Sequence, residues 1–274
     1  VMRSRRLTSL LAASAATALL AACGGGEAEL SAADEPLRVG ASPVPHAEIL
    51  RFVDENLAAD AGLDLDIVEF TDYVQPNVAL DDGSLDANYF QTIPYLEEQE
   101  ASAGYDFTPL APVHIEPLGI YSQSLTDLAA LPDGATVAIP NDPTNAARAL
   151  RLLEANELIT LADTGDAAPT SLDVQDSPKD LQISEVEAAQ VPRSLADVDI
   201  AVINGNYAIE ADLVPAEDAL ALESAEGNPN ANLLVVRTGT EDDERIQQLE
   251  SLLHSDQVRQ FIEDTYEGAV IPAF

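Results

Sequence analysis

Apolar positions in the first half of the chain switch repeatedly between two spacings. Short apolar runs at residues 37–41, 65–70 and 85–90 have the composition of strands bounded by turn residues. Between them, residues 47–59 carry apolar side chains with the spacing of one buried helical face, and residues 93–102 continue as a further helix. This alternation of strand and helix predicts an α/β layered domain.

The middle of the chain interrupts this pattern and then restarts it. Residues 107–121 form two extended runs with three prolines and no helical period, which suits a segment that crosses between two lobes. A strand at 136–140 and a helix at 145–157 follow. The nearly continuous apolar run at 198–203 is typical of a strand buried on both faces.

The last third of the chain predicts a return to the first lobe. Residues 160–180 are rich in turn formers and are expected to be a loop. Residues 232–236 form a strand that carries the chain back, and residues 246–266 are expected to be one helix. We therefore predict two α/β lobes with a cleft between them.

The predicted lobe boundaries follow from these two crossings. Lobe 1 is discontinuous and comprises residues 37–117 plus 233–274, whereas lobe 2 comprises residues 118–232.

The first part of the chain has the pattern of a bacterial lipoprotein signal. Arginines at 3, 5 and 6 precede an uncharged run over 7–20, which is too short for a comfortable membrane span. Small residues then lead to Cys23. We expect residues 1–22 to be a signal peptide whose removal leaves Cys23 as the lipidated residue, with 23–36 as the lipidated cysteine and a flexible tether. An ordinary secretory signal with a chance cysteine is the alternative.

The charge of the chain limits its partners. It carries 49 acidic and 12 basic residues, with a formal net charge of −37. Such a surface argues against binding of nucleic acid, because little could neutralise the phosphates, and against docking of the folded body on anionic lipid. A cation-binding protein and a solvated acidic surface suited to high salt are both compatible with this charge. The scattered acids favour the solvated surface, and we expect no metal site.

A helix start between residues 139 and 148 is the sharpest local feature. Asp142 is placed to cap the helix and Pro143 to occupy its first position. Asn145 and Arg148 are three residues apart and share a face one turn into the helix. An arginine at this place can hold a carboxylate through two hydrogen bonds. A surface arginine paired with a nearby acid is the alternative.

Two further features point to a ligand site. The apolar strand at 201–203 delivers Asn204 at its carboxyl end, where ligands bind in open α/β sheets, although Asn-Gly is also a common turn. Aromatic residues are 5% of the chain, yet four lie near the ends of two neighbouring strands. They could line an apolar pocket or pack in the core: Phe70, Tyr73, Tyr89 and Phe90.

Motifs for catalysis are missing from the sequence. The three histidines do not form a metal-binding pair at helical or strand spacing, and the sequence contains no serine-hydrolase elbow, P-loop or dinucleotide-binding glycine motif. The only cysteine, Cys23, is assigned to the anchor. We therefore expect a protein that is not an enzyme and needs no cofactor.

Long stretches of the sequence resemble the MetQ/NlpA family of lipoproteins, the methionine-binding components of bacterial ABC importers. The resemblance runs from about Leu37 to Phe274. It is carried by the stretches VGASPVPHAEIL, EFTDYVQPNVAL, LDANYFQTIPYL, VHIEPLGIYS, LPDGATVAIPNDPTNAARAL, EAAQVPRSLADVD, AVINGNYA and YEGAVIPAF.

The resemblance implies a periplasmic-binding-protein fold of type II that closes on an amino acid. It implies that Arg148 holds the ligand carboxylate and that Asn204 and Asn232 bind the ammonium and carboxylate groups. The side-chain pocket is implied to involve Tyr73, Phe90 and His114, with Phe70 and Tyr89 as neighbours.

The expected function is capture of L-methionine, or of a closely related amino acid or methionine-containing dipeptide, and its delivery to an ABC permease with its ATPase. The protein would be held in the lipid bilayer through acylated Cys23, on the extracytoplasmic face of the cell membrane. The alternatives are a surface hydrolase and a lipoprotein with an interaction or adhesin role on the same fold.

Overall fold

Two β-sheets with helices packed around them organise the chain. The computed structural model describes residues 30–274, so the predicted signal peptide and Cys23 lie outside the described residues. The strands are β1 Leu37–Ala41, β2 Leu65–Glu69, β3 Ala87–Thr92, β4 Phe107–Ile115, β5 Gly119–Tyr121, β6 Thr136–Pro140, β7 Thr160–Leu161, β8 Val174–Asp176, β9 Gln182–Val186, β10 Ile200–Ile203, β11 Ala221–Leu222, β12 Ala231–Arg237 and β13 Ile271–Pro272.

The structure has helices where the sequence predicts them near residues 47–59, 93–102 and 145–157, and further helices that were not predicted. They are α1 Glu48–Val53, α2 Ala59–Ala61, α3 Gln75–Asp81, α4 Ile93–Ala103, α5 Pro143–Ala155, α6 Val191–Ser194, α7 Gly205–Glu210, α8 Pro215–Asp218, α9 Glu244–Leu253 and α10 Asp256–Tyr266. A π-helical segment at Asp54–Ala58 joins α1 to α2. Gly62 ends this helical stretch with φ 72°, a backbone conformation that glycine adopts without strain.

The first sheet has six strands in the order β13-β4-β12-β3-β1-β2. β1 runs parallel to β2 and β3, whereas β12 runs antiparallel to both β3 and β4. One face of this sheet packs on α1, α9 and α10 through a core that includes Val39, Leu50, Val53, Leu249 and Ile262. This core is built from the apolar faces that the sequence pattern predicts.

The second sheet has five strands in the order β11-β5-β10-β6-β9. β10, β6 and β9 are parallel, and β5 and β11 run antiparallel to their neighbours. All four residues of β10 are buried, in agreement with the prediction of a strand covered on both faces. Helix α5 packs on one face through Ala149, Leu150 and Leu153.

The chain crosses between the sheets twice, after β4 and after β11. A backbone hydrogen bond joins the two crossings: Glu223 N–H in the second donates to Leu118 O in the first over 2.8 Å. The two-lobed α/β fold is confirmed. β12 begins at Ala231, so the predicted boundary between residues 232 and 233 falls inside a strand, and the domain limits remain a prediction.

Two predictions for the last half of the chain are wrong. The single helix expected over 246–266 is two helices, because Ser255 begins α10 by accepting from Val258 N–H over 3.3 Å. The loop expected over 160–180 contains the hairpin of β7 and β8, whose strands are too short to show alternation. The pattern also missed β9, an edge strand with few buried side chains.

The predicted tether is bound to the body over the part that is described. Ser31 N–H donates to Asp86 Oδ1 over 2.8 Å, and Arg245 Nη2 donates to Ser31 O over 2.8 Å. Ser31, which lies in the predicted tether, is therefore held on the folded body. Among residues 30–274, no helix has the length and apolar character that crossing a bilayer requires.

Candidate functional site

The start of helix α5 presents Arg148 to the space between the sheets. Asp142 caps the helix, since its Oδ1 accepts from Asn145 N–H over 2.9 Å, and Pro143 follows at the first helical position. This confirms the predicted helix start. One turn further, the Arg148 side chain is only 10% exposed, which a solvated surface arginine would not be.

Arg148 is bonded to both crossings of the chain. Its Nε donates to both carboxylate oxygens of Glu223, over 2.9 and 3.0 Å, and its Nη2 donates to Glu116 O over 2.8 Å and to Glu223. Arg148 is therefore paired with an acid, as the alternative expected, but it is buried and not a surface arginine. Burial by itself would raise the pKa of Glu223, but the hydrogen bonds and charge of Arg148 lower it. These bonds use Nε and Nη2 and do not involve Nη1.

Asn204, at the end of β10, is oriented by Asn145. Its Nδ2 donates to Asn145 Oδ1 over 2.8 Å, while Asn145 Nδ2 donates to Asp142. Asn204 Oδ1 is buried and has no hydrogen-bond partner among the described residues. Because an unpaired buried acceptor is costly, this atom is a candidate contact for a ligand donor. Asn204 is followed directly by helix α7, so the Asn-Gly pair does not form a simple turn.

An aromatic group lies on the side of the six-stranded sheet. The ring centroids of Tyr73 and Phe90 are 6.0 Å apart, and Tyr95 lies at similar distances from both. Tyr73 also reaches the other sheet, because its hydroxyl donates to Asn206 Oδ1 over 2.5 Å and its ring lies 4.9 Å from that of Tyr207. Asn206 Nδ2 is buried and without a partner among residues 30–274.

These groups surround one cavity with a free volume, including its mouth, of about 380 Å³. The part of this volume open to the centre of a water molecule is about 30 Å³, so the cavity is narrow in this arrangement of the two sheets. Its wall is formed by residues from both sheets and from the first crossing: Tyr73, Phe90, Gln91, Thr92, Tyr95, Glu116, Asn145, Arg148, Asn204, Gly205, Asn206 and Asn232. The structure therefore brings together six of the nine residues that were predicted to contact a ligand.

The other three predicted residues do not line the cavity. Phe70 packs in the core beside Leu80 and Leu85. Tyr89 and His114 are fully buried behind the wall, where the Tyr89 hydroxyl is hydrogen-bonded to His114 Nδ1. Strand alternation explains the difference, since Phe90 faces the cavity and its neighbour Tyr89 points to the opposite side of the sheet.

Behind the wall, two histidines converge on Glu116. His114 Nε2 lies 2.8 Å and His46 Nε2 3.3 Å from Glu116 Oε1, and His46 Nε2 is also 3.0 Å from Asn232 Oδ1. Asn232 Nδ2 donates to the same Glu116 oxygen over 3.3 Å. We call this set, His46, His114, Glu116 and Asn232, the buried polar cluster.

Burial dominates the ionisation of this cluster. It lowers the pKa of His46 to about 4 and that of His114 to about 3, so both imidazoles are neutral near neutral pH. Burial also raises the pKa of Glu116. The ligand atoms of these three residues lie within 4.8 Å of one another, close enough for a metal ion to be considered. The Nε2 atom of His114 is already hydrogen-bonded to Glu116 Oε1, and that of His46 to Asn232 Oδ1.

Sequence reasoning missed several residues of the wall, above all Glu116. It lies in the stretch VHIEPLGIYS, in the short crossing between β4 and β5, where no periodicity marks it. Asn206 and Tyr95 were missed as well. A polar residue in a segment that joins two lobes is the signal that could have identified Glu116.

Comparison with known proteins places the chain in a family. The family model described as NlpA lipoprotein matches residues 37–274. The chain is 40% identical to the methionine-binding lipoprotein MetQ of Bacillus subtilis, over 93% of each chain. It is 41% identical to the D-methionine-binding lipoprotein MetQ of Escherichia coli, over 80% of this chain and 82% of the relative.

A solved structure agrees with both the fold and the relationship. A nutrient binding protein from Burkholderia cenocepacia, whose solved structure is bound to methionine, is 43% identical. The similarity covers 87% of this chain and 100% of that protein, with a TM-score of 0.84. The chain therefore belongs to the NlpA lipoprotein family.

Proposed function

We propose that this protein is the lipid-anchored substrate-binding component of an ABC importer and that it captures methionine. L-Methionine, or a closely related amino acid or methionine-containing dipeptide, would bind in the cavity between the two sheets. The observation that carries the proposal is the cavity itself, which combines a buried arginine, unpaired amide atoms and an aromatic wall. Relatives named for methionine binding support the same ligand.

The carboxylate of the ligand is assigned to Arg148. Its guanidinium is held by Glu223 and by the carbonyl of Glu116, which fixes its plane. The two N–H groups of Nη1 would then be available to a ligand carboxylate, and charge-assisted hydrogen bonds of this kind are among the strong ones. Asn206 Nδ2, a buried donor without a partner among the described residues, would complete the site.

The asparagines are assigned different tasks. Asn204 Oδ1 would accept from the ligand ammonium, and Asn145 would act on it only by positioning, because both ends of its own amide are already bonded. Asn232 is bonded to His46 and Glu116 and would contribute to the wall beside the polar end of the ligand.

The aromatic group suits a thioether. Tyr73, Phe90 and Tyr95 offer ring faces and edges within 6.0 Å of one another. Contacts between sulfur and an aromatic ring contribute about 0.3–1.5 kcal/mol each. A methionine side chain would therefore be favoured over an aliphatic side chain of equal length.

Delivery to a permease would depend on closure of the lobes. Tyr73 and Asn206 already join the two sheets across the cavity. A ligand that contacts both sheets stabilises the closed arrangement only through its higher affinity for it. The closed form would dock on the permease, and ATP hydrolysis by the associated ATPase would drive transport. We assign no catalytic role to the chain.

Attachment to the membrane is assigned to acylated Cys23, on the extracytoplasmic face. Stable anchoring needs more than one acyl chain, as in the lipidated N-termini of lipoproteins. The chains named as similar above include lipoproteins, which supports this location.

Calorimetric titration with both enantiomers of methionine tests the proposal. We expect the wild-type protein to bind methionine and Arg148→Ala to lose about 100-fold or more in affinity, because hydrogen bonds to charged groups contribute about 1.5–3 kcal/mol each. Arg151→Ala is the matched control, since Arg151 is exposed on the same helix and does not line the cavity. Equal affinities of the Arg148 variant and the wild type would contradict the role of Arg148.

A thermal-shift screen of amino acids separates transport from the rival role of an interaction protein. A ligand at 100 times its Kd stabilises a protein by about 2.7 kcal/mol. If no amino acid or methionine-containing dipeptide raises the melting temperature, the proposed function is wrong.

A further inference from the structure

Glu116 is a buried carboxyl group at the wall of the cavity. It lies in the first crossing, three residues before β5, and its side chain is only 6% exposed. Its Oε1 faces Nε2 of His114, Nε2 of His46 and Nδ2 of Asn232, and the backbone N–H of Asn206 also donates to its carboxyl group. Burial raises the pKa of this group, whereas the N–H donors around it and the charge of Arg148 favour the ionised carboxylate.

None of the groups that donate to this carboxylate carries a full charge. Both histidines are neutral near neutral pH, and the remaining donors are a side-chain amide and a backbone amide. The Arg148 guanidinium is hydrogen-bonded to the backbone carbonyl of Glu116 and to the carboxylate of Glu223. The charge of Arg148 is close enough to lower the pKa of Glu116, but no cation among the described residues is hydrogen-bonded to this carboxylate. Buried charges in proteins are ordinarily paired by such bonds, so a cationic ligand group could occupy this place.

The geometry points to Glu116 as the residue that recognises the ligand ammonium and restricts the ligands to those with a free amino group. This inference rests on the proposed function and adds a specificity-determining residue to it. Arg148 and Glu116 both line the cavity, so the site would offer one cation and one anion to a zwitterion. The unpaired Asn204 Oδ1 would be a second acceptor for the same ammonium group.

His46 and His114 are positioning residues in this arrangement. The hydroxyl of Tyr89 is bonded to His114 Nδ1, which fixes the ring with Nε2 toward Glu116. Neutral donors hold the carboxylate in place without cancelling its charge, and the charge remains available to the ligand. A histidinium at either position would compete with the ligand ammonium.

The test compares methionine with 4-(methylthio)butanoate, which is methionine without its amino group, by calorimetric titration of the full chain. The wild-type protein should bind methionine about 100-fold or more tightly than the analogue, because a buried charge pair would be missing from the analogue complex. In Glu116→Gln this preference should fall to within a few-fold, mainly through weaker methionine binding. Glu217→Gln, on an exposed residue of α8, should keep the wild-type preference.

The ratio of the two dissociation constants separates recognition from folding. A variant that is merely damaged loses affinity for both compounds equally, and that result would overturn the inference. If Glu116→Gln does not fold, as judged by circular dichroism, Glu116→Asp takes its place. This variant should keep a preference for the ligand with a free amine. Loss of that preference in a folded Asp variant would also count against the inference.

Two further outcomes are decisive. If the wild-type protein does not bind methionine, the proposed function fails, whereas wild-type binding together with an unchanged preference in Glu116→Gln overturns only the role of Glu116. Zn²⁺ that binds the wild-type chain, competes with methionine and is lost in Glu116→Gln would make the buried polar cluster a metal site and overturn the inference.

Discussion

Gly205 lies so close to Glu116 that a Cβ atom built on it would be 2.7 Å from Glu116 Cβ. The same Cβ would be 3.1 Å from Glu116 Oε2. Gly205 is the first residue of α7, and its missing side chain lets the first crossing pack against the start of that helix. The position of the Glu116 carboxylate therefore depends on a glycine 89 positions further along the chain.

Gly205→Ala should weaken ligand binding by displacing Glu116. Overpacking of this kind costs about 1–3 kcal/mol, and we expect about tenfold or greater loss of methionine affinity in a calorimetric titration. The loss should be larger for methionine than for its des-amino analogue.

Gly104→Ala is the control for this substitution. Gly104 ends α4 with φ 80° and open space around it, so alanine there strains the backbone without touching the cavity. It should lower the unfolding free energy by about 1 kcal/mol and leave the affinity unchanged. An affinity loss in the Gly104 variant, or none in the Gly205 variant, would refute the argument.

Tyr73→Phe should weaken the closed arrangement of the two sheets without abolishing methionine binding. It removes the hydrogen bond to Asn206 that joins the two sheets. A single hydrogen bond contributes about 0.5–1.5 kcal/mol, so methionine affinity should fall about threefold to tenfold. Small-angle scattering should show a more open ligand-free protein.

Tyr105→Phe provides the comparison. Tyr105 stacks on Phe107 with ring centroids 5.0 Å apart and does not line the cavity. Its variant should bind methionine like the wild type. Equal effects of the two substitutions would show that Tyr73 does not act through the contact with Asn206.

Acid should destabilise the ligand-free protein through the two buried histidines. Their pKa values are about 4 for His46 and about 3 for His114, against 6.5 in an unfolded chain. Below pH 6.5 the unfolded state therefore binds more protons than the folded state, and the unfolding free energy falls as the pH falls towards 4. The slope is at most about 1.4 kcal/mol per pH unit for each histidine.

Urea unfolding of the wild type and of the His46→Gln, His114→Gln double variant measures this slope. Comparison of the two proteins at each pH cancels the contribution of the many surface acids. The raised pKa of Glu116 acts with the opposite sign, because its folded state takes up protons first. The unfolding free energy of the double variant should fall less steeply on acidification than that of the wild type. Parallel curves of unfolding free energy against pH would rule out the histidines as the cause of the fall.

Local sequence information was sufficient for the elements that build the site. The cap at Asp142, the proline at 143 and the helical spacing of Asn145 and Arg148 were all readable from the chain, and the structure has them as predicted. The buried run at the end of β10 likewise marked Asn204. Capping, periodicity and apolar runs depend on residues a few positions apart, so the local sequence is enough to predict them.

The wall of the cavity required distances that no local pattern contains. Tyr89 and His114 looked like pocket residues but lie behind the wall, because the packing of β3 and β4 decides which face is covered. Glu116 has no pattern around it, and its carboxylate contacts His46, 70 positions earlier, and Asn232, 116 positions later. Such partners meet only when both crossings are in place.

The sequence by itself determined the α/β alternation, the family and the arginine at the start of α5, because these depend on short spacings and on long stretches that resemble the family. Only the tertiary structure decided which polar side chains line the cavity and which are hydrogen-bonded to one another. The physical reason is that a buried hydrogen-bonding group is defined by its partners, and these partners come from segments that are distant in the chain.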